Sequence, residues 1–346
     1  MVNANARLAE AYTATSPTGT EITDIGFSYS ARGEVSDVYE STPHLSQGYY
    51  YHVTASYWAH GKLSSLSGLS GLPTLYYGAS DGSGLDGEGR ITKITGSAQN
   101  PVTGVTYTTS GTAQPIGSLT QVTFGSGDYD NFSYDTNTGR MTQYKFNVGS
   151  PAQTVRGDLT WNANGTLQQL VIADQFNAAD NQTCTYSSDD LGRLASVNCG
   201  AAWSQTFTYN GDGASAFGNL SKSGSGSFQP TYSPTTNQIT QLPGPFVPSY
   251  DGNGNLQNDS LHSYAWDADG KAITMDGVGA TYDALDRMVE QNRFGSYTQI
   301  VYAPTGVKLA LMNAQSLQKA FVPLPGMGTA VYTASGLGSV PIPVEK

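Results

Sequence analysis

Tyr282-Asp283-Ala284-Leu285-Asp286-Arg287-Met288-Val289 is the stretch that decides how this chain reads. An aromatic residue ends one strand, small and acidic residues turn the chain, a polar residue stays wet, and an aliphatic opens the return strand. Variants recur: Tyr134-Asp135 to Gly139-Arg140-Met141, Trp161-Asn162 to Gly165-Thr166-Leu167, Tyr186 to Gly192-Arg193-Leu194, and Tyr209-Asn210 to Gly218-Asn219-Leu220. Further on come Tyr250-Asp251 to Gly254-Asn255-Leu256 and Trp266-Asp267 to Gly270-Lys271. Tyr302 to Gly306 is looser, and Tyr232 to Asn237 lacks the glycine. The spacing drifts between 16 and 27 residues, which predicts a repeat of hairpins with loops of unequal length. No such hairpin is stable alone, so neighbours must cover each face.

Upstream the same signals are fainter. Residues 1–20 read as a loose lead-in or an incomplete strand pair. Glu21–Tyr29 and Val35–Tyr39 read as strands flanking a turn at Ser30-Ala31-Arg32-Gly33-Glu34. The run Tyr49 to Trp58 carries aromatics on both faces of one strand, which predicts a strand covered on both sides or lying at an edge or interface. Leu63 to Leu75 has a weak helical spacing, opposed by its glycines and ended by Pro73. Pro230, Pro234, Pro243, Pro245 and Pro248 suggest bends or protected edges, not a linker.

Composition narrows the function. Glycine supplies 41 of 346 residues, tyrosine 22, and charged residues only 12%. A net charge of −11 gives no footprint for nucleic acid or an anionic membrane. No apolar run is long enough to span a bilayer as a helix, and the N-terminus shows no signal peptide.

Chemistry-bearing patterns are sparse. The four histidines, 44, 52, 60 and 262, lack the companions of a metal centre. Asp81, Asp86 and Glu88 crowd one loop but miss the EF-hand order, so a solvated turn is the reading. Ser225 sits in a simple Gly/Ser turn without a nucleophile elbow. Carboxylate pairs such as Asp267 with Asp269 recur in turns, where a structural task explains them. No phosphate loop and no cofactor motif is present. Cys184 and Cys199 flank one turn and fall nearly opposite each other. A cross-strand disulfide is within geometric reach, although two unbonded small hydrophobes is the favoured reading.

The turn copies resemble the Rhs/YD-repeat family, named for a Tyr-Asp dipeptide followed by Gly-Arg and an aliphatic. The anchors are Tyr134, Asp135, Gly139, Arg140, Trp161, Gly165, Tyr186, Gly192, Arg193, Tyr209, Gly218, Tyr250, Asp251, Gly254, Trp266, Gly270, Tyr282, Asp283, Arg287, Tyr302 and Gly306. The resemblance implies an all-β fold of antiparallel hairpins wound into a curved, spiralling sheet, part of a shell around a toxin. It implies a secreted or cell-surface protein whose partner is an encapsulated toxin or the remainder of a longer Rhs chain. The chain then divides into a degenerate lead-in (1–110), the repeat array (111–320) and a truncated junction (321–346) toward an Rhs core. The Asp-Pro-Xaa-Gly signature of that core is missing, so self-cleavage and toxin activity do not carry over. A non-catalytic shell segment without cofactors ranks first. A surface module binding carbohydrate or protein through aromatics near Tyr49–Trp58 ranks second, and an enzyme last.

Overall fold

The computed structural model describes residues 2–45, 49–109, 115–209 and 217–338. They are all-β: antiparallel strands follow one another in chain order, and the described helical pieces are two single 3-10 turns. Backbone contacts divide the chain into two compact units, one drawn from Met1–Thr106, Val122–Gly127 and Gly277–Lys346, the other from Tyr107–Gln121 and Asp128–Asp276.

The first unit uses both ends of the chain. Its N-terminal strands Glu10–Ala14, Glu21–Tyr29, Val35–Ser41, Tyr51–Tyr57 and Leu63–Ser67 pair each with the next. Its C-terminal strands Val278–Tyr282, Met288–Arg293, Ser296–Tyr302, Lys308–Asn313, Ser316–Pro323 and Thr329–Thr333 do the same. Both ends feed one core, in which Tyr51, Val53, Leu66 and Leu75 meet Leu309, Met312, Val322 and Tyr332. The tail hairpin around Phe321–Tyr332 is thus a packed part of this unit. Residues 339–346, with Pro341-Ile342-Pro343, lie outside the described residues, as do Asn210 and the loop that follows it.

Two local expectations change here. Leu63–Leu75 is not helical: Leu66, Leu69, Leu72 and Leu75 are all buried, and their three-residue spacing mimics a helix. Gly68 (φ 99°) and Gly71 (φ 81°) instead turn the chain between strands, a left-handed backbone that glycine adopts without a Cβ clash. The aromatic run near residue 50 forms an interior strand, Tyr51–Tyr57, not an edge. One face packs into the core. The other is half-buried, with His52 Nε2 2.9 Å from Asp37 Oδ1 and its ring stacked on Tyr39. Tyr49 and Tyr50 precede the strand and stay exposed.

In the second unit, strands Tyr129–Tyr134, Met141–Val148, Gln153–Trp161, Leu167–Asp174, Gln182–Ser188, Leu194–Asn198, Ser204–Tyr209 and Leu220–Gly224 pair in succession. Register places Phe132, Tyr144, Leu159, Leu170 and Ile172 on one face, most of them only half-buried. The opposite face is polar, tied by Gln143 donating to Asp158 (2.7 Å) and by the Ser187–Ser196 hydroxyl pair (2.6 Å). Tyr144 lies across Gly157, where an added Cβ would stand 2.2 Å from its ring. Past residue 225 the strands of this unit shrink to two to four residues, and Thr231–Tyr232 with Ile239–Gln241, then Ser249–Tyr250 with Leu256–Asn258, make separate two-stranded pieces. Cys184 and Cys199 continue the register of their hairpin and are bonded (Cα–Cα 4.0 Å), correcting the favoured reading of two free thiols. Facing positions on paired antiparallel strands put both side chains on the same side of the sheet, within bonding reach.

Candidate functional site: the tyrosine turns

Six copies of the motif build the same object. The aromatic sits at a β-bulge opposite the residue six positions on: Tyr134 faces Met141 after a longer turn, and Trp161 faces Leu167, Tyr250 Leu256, Trp266 Ala272, Tyr282 Met288 and Tyr302 Lys308. The bulge absorbs the extra residue of a turn whose last position is left-handed. Glycine fills that position at Gly139, Gly165, Gly254, Gly270 and Gly306, while Asp286 occupies it in the Tyr282 copy with φ 64°.

The residue after the aromatic braces the turn. Asp283 Oδ1 accepts from the backbone N–H groups of Leu285 and Arg287, both at 2.9 Å, while Oδ2 takes Arg287 Nε (2.7 Å). Asp189 does the same with Leu191 and Arg193, and Asp251 with Asn253 and Asn255. Hence the copy begun at Tyr186 is set two residues later: Ser188, not Tyr186, pairs with Leu194 at the bulge, and Asp189 is the brace. A count of six back from the aliphatic would have found it. The same brace appears at Asp86 with Glu88 and Arg90, in the loop weighed for calcium. These bonds tune the carboxyls. Thr138 holds Asp135 below the ordinary aspartate value, and Asn255 does so for Asp251. Desolvation pushes Asp189 up, but its bonds from Arg193 and Leu191 outweigh it and the net shift is downward.

The aromatic has a second task. Tyr57 Oη donates to the Val35 carbonyl (2.7 Å), Trp161 Nε1 to Met141 (2.7 Å), Tyr209 Oη to Leu194 (2.9 Å), Tyr250 Oη to Ile239 (3.1 Å), Trp266 Nε1 to Leu256 (2.6 Å) and Tyr302 Oη to Met288 (3.0 Å). In every case the acceptor opens the return strand of the preceding hairpin. The motif arginine completes the link, with Arg193 over the Tyr209 ring at 3.9 Å and Arg287 over Tyr302 at 4.4 Å. Arg140 reaches the next turn too, where a Cβ on Gly165 would stand 2.5 Å from its Nη2. The Tyr-Asp to Gly-Arg spacing is therefore a staple: one residue closes its own hairpin and fastens it to the last. Where the prolines interrupt the backbone ladder, Tyr250 and Trp266 keep the succession joined.

Three further candidates are held by local bonds. His262 pairs with Asp276 (2.6 Å), whose hydrogen bond raises the imidazole's affinity for a proton. Asp267 accepts from Asp269 N and Lys271 N. Ser225 accepts from the Ser204 amide. Among the described residues, no three His, Cys, Asp or Glu side chains group to hold a metal, and no helix is long and apolar enough to cross a membrane. One polar cluster escaped sequence reasoning altogether. In the first unit, His44 Nδ1 meets Glu290 Oε1 at 2.7 Å and Gln299 Nε2 donates to Glu290 at 2.9 Å, near Tyr51, which pairs with the buried Glu40. Its members lie some 246 residues apart in the chain, so no local pattern announces it.

A search of curated proteins found no match. Among solved structures, a chain of the Photorhabdus luminescens Tc holotoxin pore with a TccC3 mutant superposes with TM-score 0.63 at 14% identity, over 94% of this chain and 19% of that one. A TcdB2-TccC3-TEV structure gives 0.61 at 13% identity over 97% and 20%, and a TcdB2-TccC3 structure 0.56 at 14% over 94% and 20%. The chain thus spans about a fifth of the length of these structures, and at such identity they speak for the fold alone. The model of the teneurin YD-shell family matches residues 130–319, more than half of the sequence and the stretch in which the staples are densest. Tyrosine turns fastened hairpin to hairpin, a two-faced sheet and this match lead to one conclusion: the chain belongs to the teneurin YD-shell family.

Proposed function

We propose that the chain is a non-catalytic wall segment of a YD-type shell, with an enclosed polypeptide, or the continuation of a longer Rhs-like chain, as its partner. The observation that carries this is the staple: the turn aspartates brace their own hairpins and the aromatics donate to the hairpin before, so the motif's recurring residues are used in building the sheet. A sheet with one apolar and one polar face suits a wall. The Cys184–Cys199 bond fits an oxidising compartment, in line with a secreted or surface-exposed protein. On this reading 1–110 is a degenerate lead-in, 111–320 the array and 321–346 a junction.

Exposed Tyr49 and Tyr50, with Tyr50 edge-on to Tyr39 at 5.4 Å, favour one second reading, a surface that binds carbohydrate or protein. Protease protection separates the two. Purified from its own host, a wall carries a polypeptide shielded from digestion until the shell is denatured. A preparation that shields nothing and binds a glycan array, with loss of binding in Tyr50→Ala, refutes the wall.

A further inference from the structure

We propose that Glu40 is a proton-operated latch: neutral, it lets the strand Val35–Ser41 close against the turn Asp283–Arg287, and its ionisation loosens that seam. Glu40 is 1% exposed, and neither carboxylate oxygen has a hydrogen-bond partner. The Thr42 hydroxyl, two residues on, is buried and unpartnered as well. The groups facing Glu40 come from several elements. The turn supplies Arg287 and Asp283, and the next strand supplies the Tyr302 amide, which approaches without reaching hydrogen-bond geometry. The neighbouring strand supplies Tyr51, whose hydroxyl is spent on the Ala314 carbonyl (2.6 Å). Glu290, also near Tyr51, is held by His44 and Gln299.

Charge does not balance in this cluster. Arg287 Nε donates to Asp283 (2.7 Å) and its Nη2 lies 2.6 Å from the same carboxylate oxygen without hydrogen-bond geometry, while Glu290 meets His44 and Gln299. Of the three carboxylates, Glu40 is the one without a hydrogen-bond partner. A buried carboxyl so placed keeps its proton. Burial, opposed by Arg287 and reinforced by Asp283, pushes it from 4.5 up to about 8. Because the value is raised on closing, the seam is tightest below 4.5, weakens as pH climbs from there to about 8, and levels off above. Acidification closes it and alkalinity opens it.

Hydrogen exchange corrected for intrinsic rate tests this on the whole chain. For residues 37–45 and 283–302, the opening equilibrium is expected to rise about tenfold per pH unit over that window. Glu40→Gln, an isostere of the neutral form, is expected to abolish the rise and keep the protection seen in acid. Parallel pH profiles in the two proteins would overturn the latch. Should the variant fail to fold, carbon-13 titration of the glutamate carboxyls in the unmodified protein decides: a glutamate titrating near 8 supports the proposal, and none there sinks it.

Discussion

Asp283–Arg287 and Asp189–Arg193 are the same turn in two surroundings. In both, the carboxylate braces two backbone amides and meets the arginine Nε at 2.7 Å. Yet the Asp283 side chain is 1% exposed and that of Asp189 is 26%. The first belongs to the unit whose core joins both ends of the chain, the second to a sheet whose apolar face is only half-covered. Local geometry is therefore indifferent to burial, while the energy riding on it is not. The well-filled unit is held by its core. The thinner one depends on links between hairpins and on one disulfide.

The sharpest way to break this comparison is to remove the brace in each unit. Asp283→Ala strands a largely buried guanidinium and is expected to cost about 3–5 kcal/mol in urea unfolding. Asp189→Ala, in contact with water, should cost about 1 kcal/mol. Equal losses would mean that burial does not set the worth of the turn. Reducing the disulfide, or Cys184→Ala with Cys199→Ala, opens a loop of 15 residues. It should destabilise the second unit by about 2–4 kcal/mol, with exchange protection lost in 182–209 and kept around Leu309. Tyr250→Phe removes one staple hydroxyl and nothing else. A loss of about 0.5–1.5 kcal/mol, felt as faster exchange in both 239–241 and 249–258, is expected; faster exchange in 249–258 alone would show that the hydroxyl does not tie the two hairpins. Smallest is Asp286→Gly, which relieves the left-handed backbone at φ 64° and should stabilise by about 0.5–1 kcal/mol, read as a small rise in melting temperature.

Much of this was legible from residue order. Tyr, Gly, Asp and Arg at a fixed offset describe a turn whose bonds close within six residues, so its strands, polarity and repetition follow from local chemistry. The strand Glu21–Tyr29 lies where alternation places it. Less local features were ambiguous or silent. Leucines three apart between 66 and 75 imitate a helix until glycine φ values are known. Tyr186 passed for an anchor because pattern matching counts aromatics, whereas pairing counts residues to the bulge.

The sequence alone determined the all-β repeat, the turn chemistry and the family likeness, because each is written in contacts between residues close in the chain. It took the folded chain to bring Leu45, Tyr51 and Leu75 into one core with Val301, Leu309 and Tyr332, to bond Cys184 to Cys199, and to bury Glu40 without a hydrogen-bond partner beside Arg287. The core and the Glu40 cluster join segments far apart in sequence, and the bond between the cysteines turns on a register that only the paired strands set.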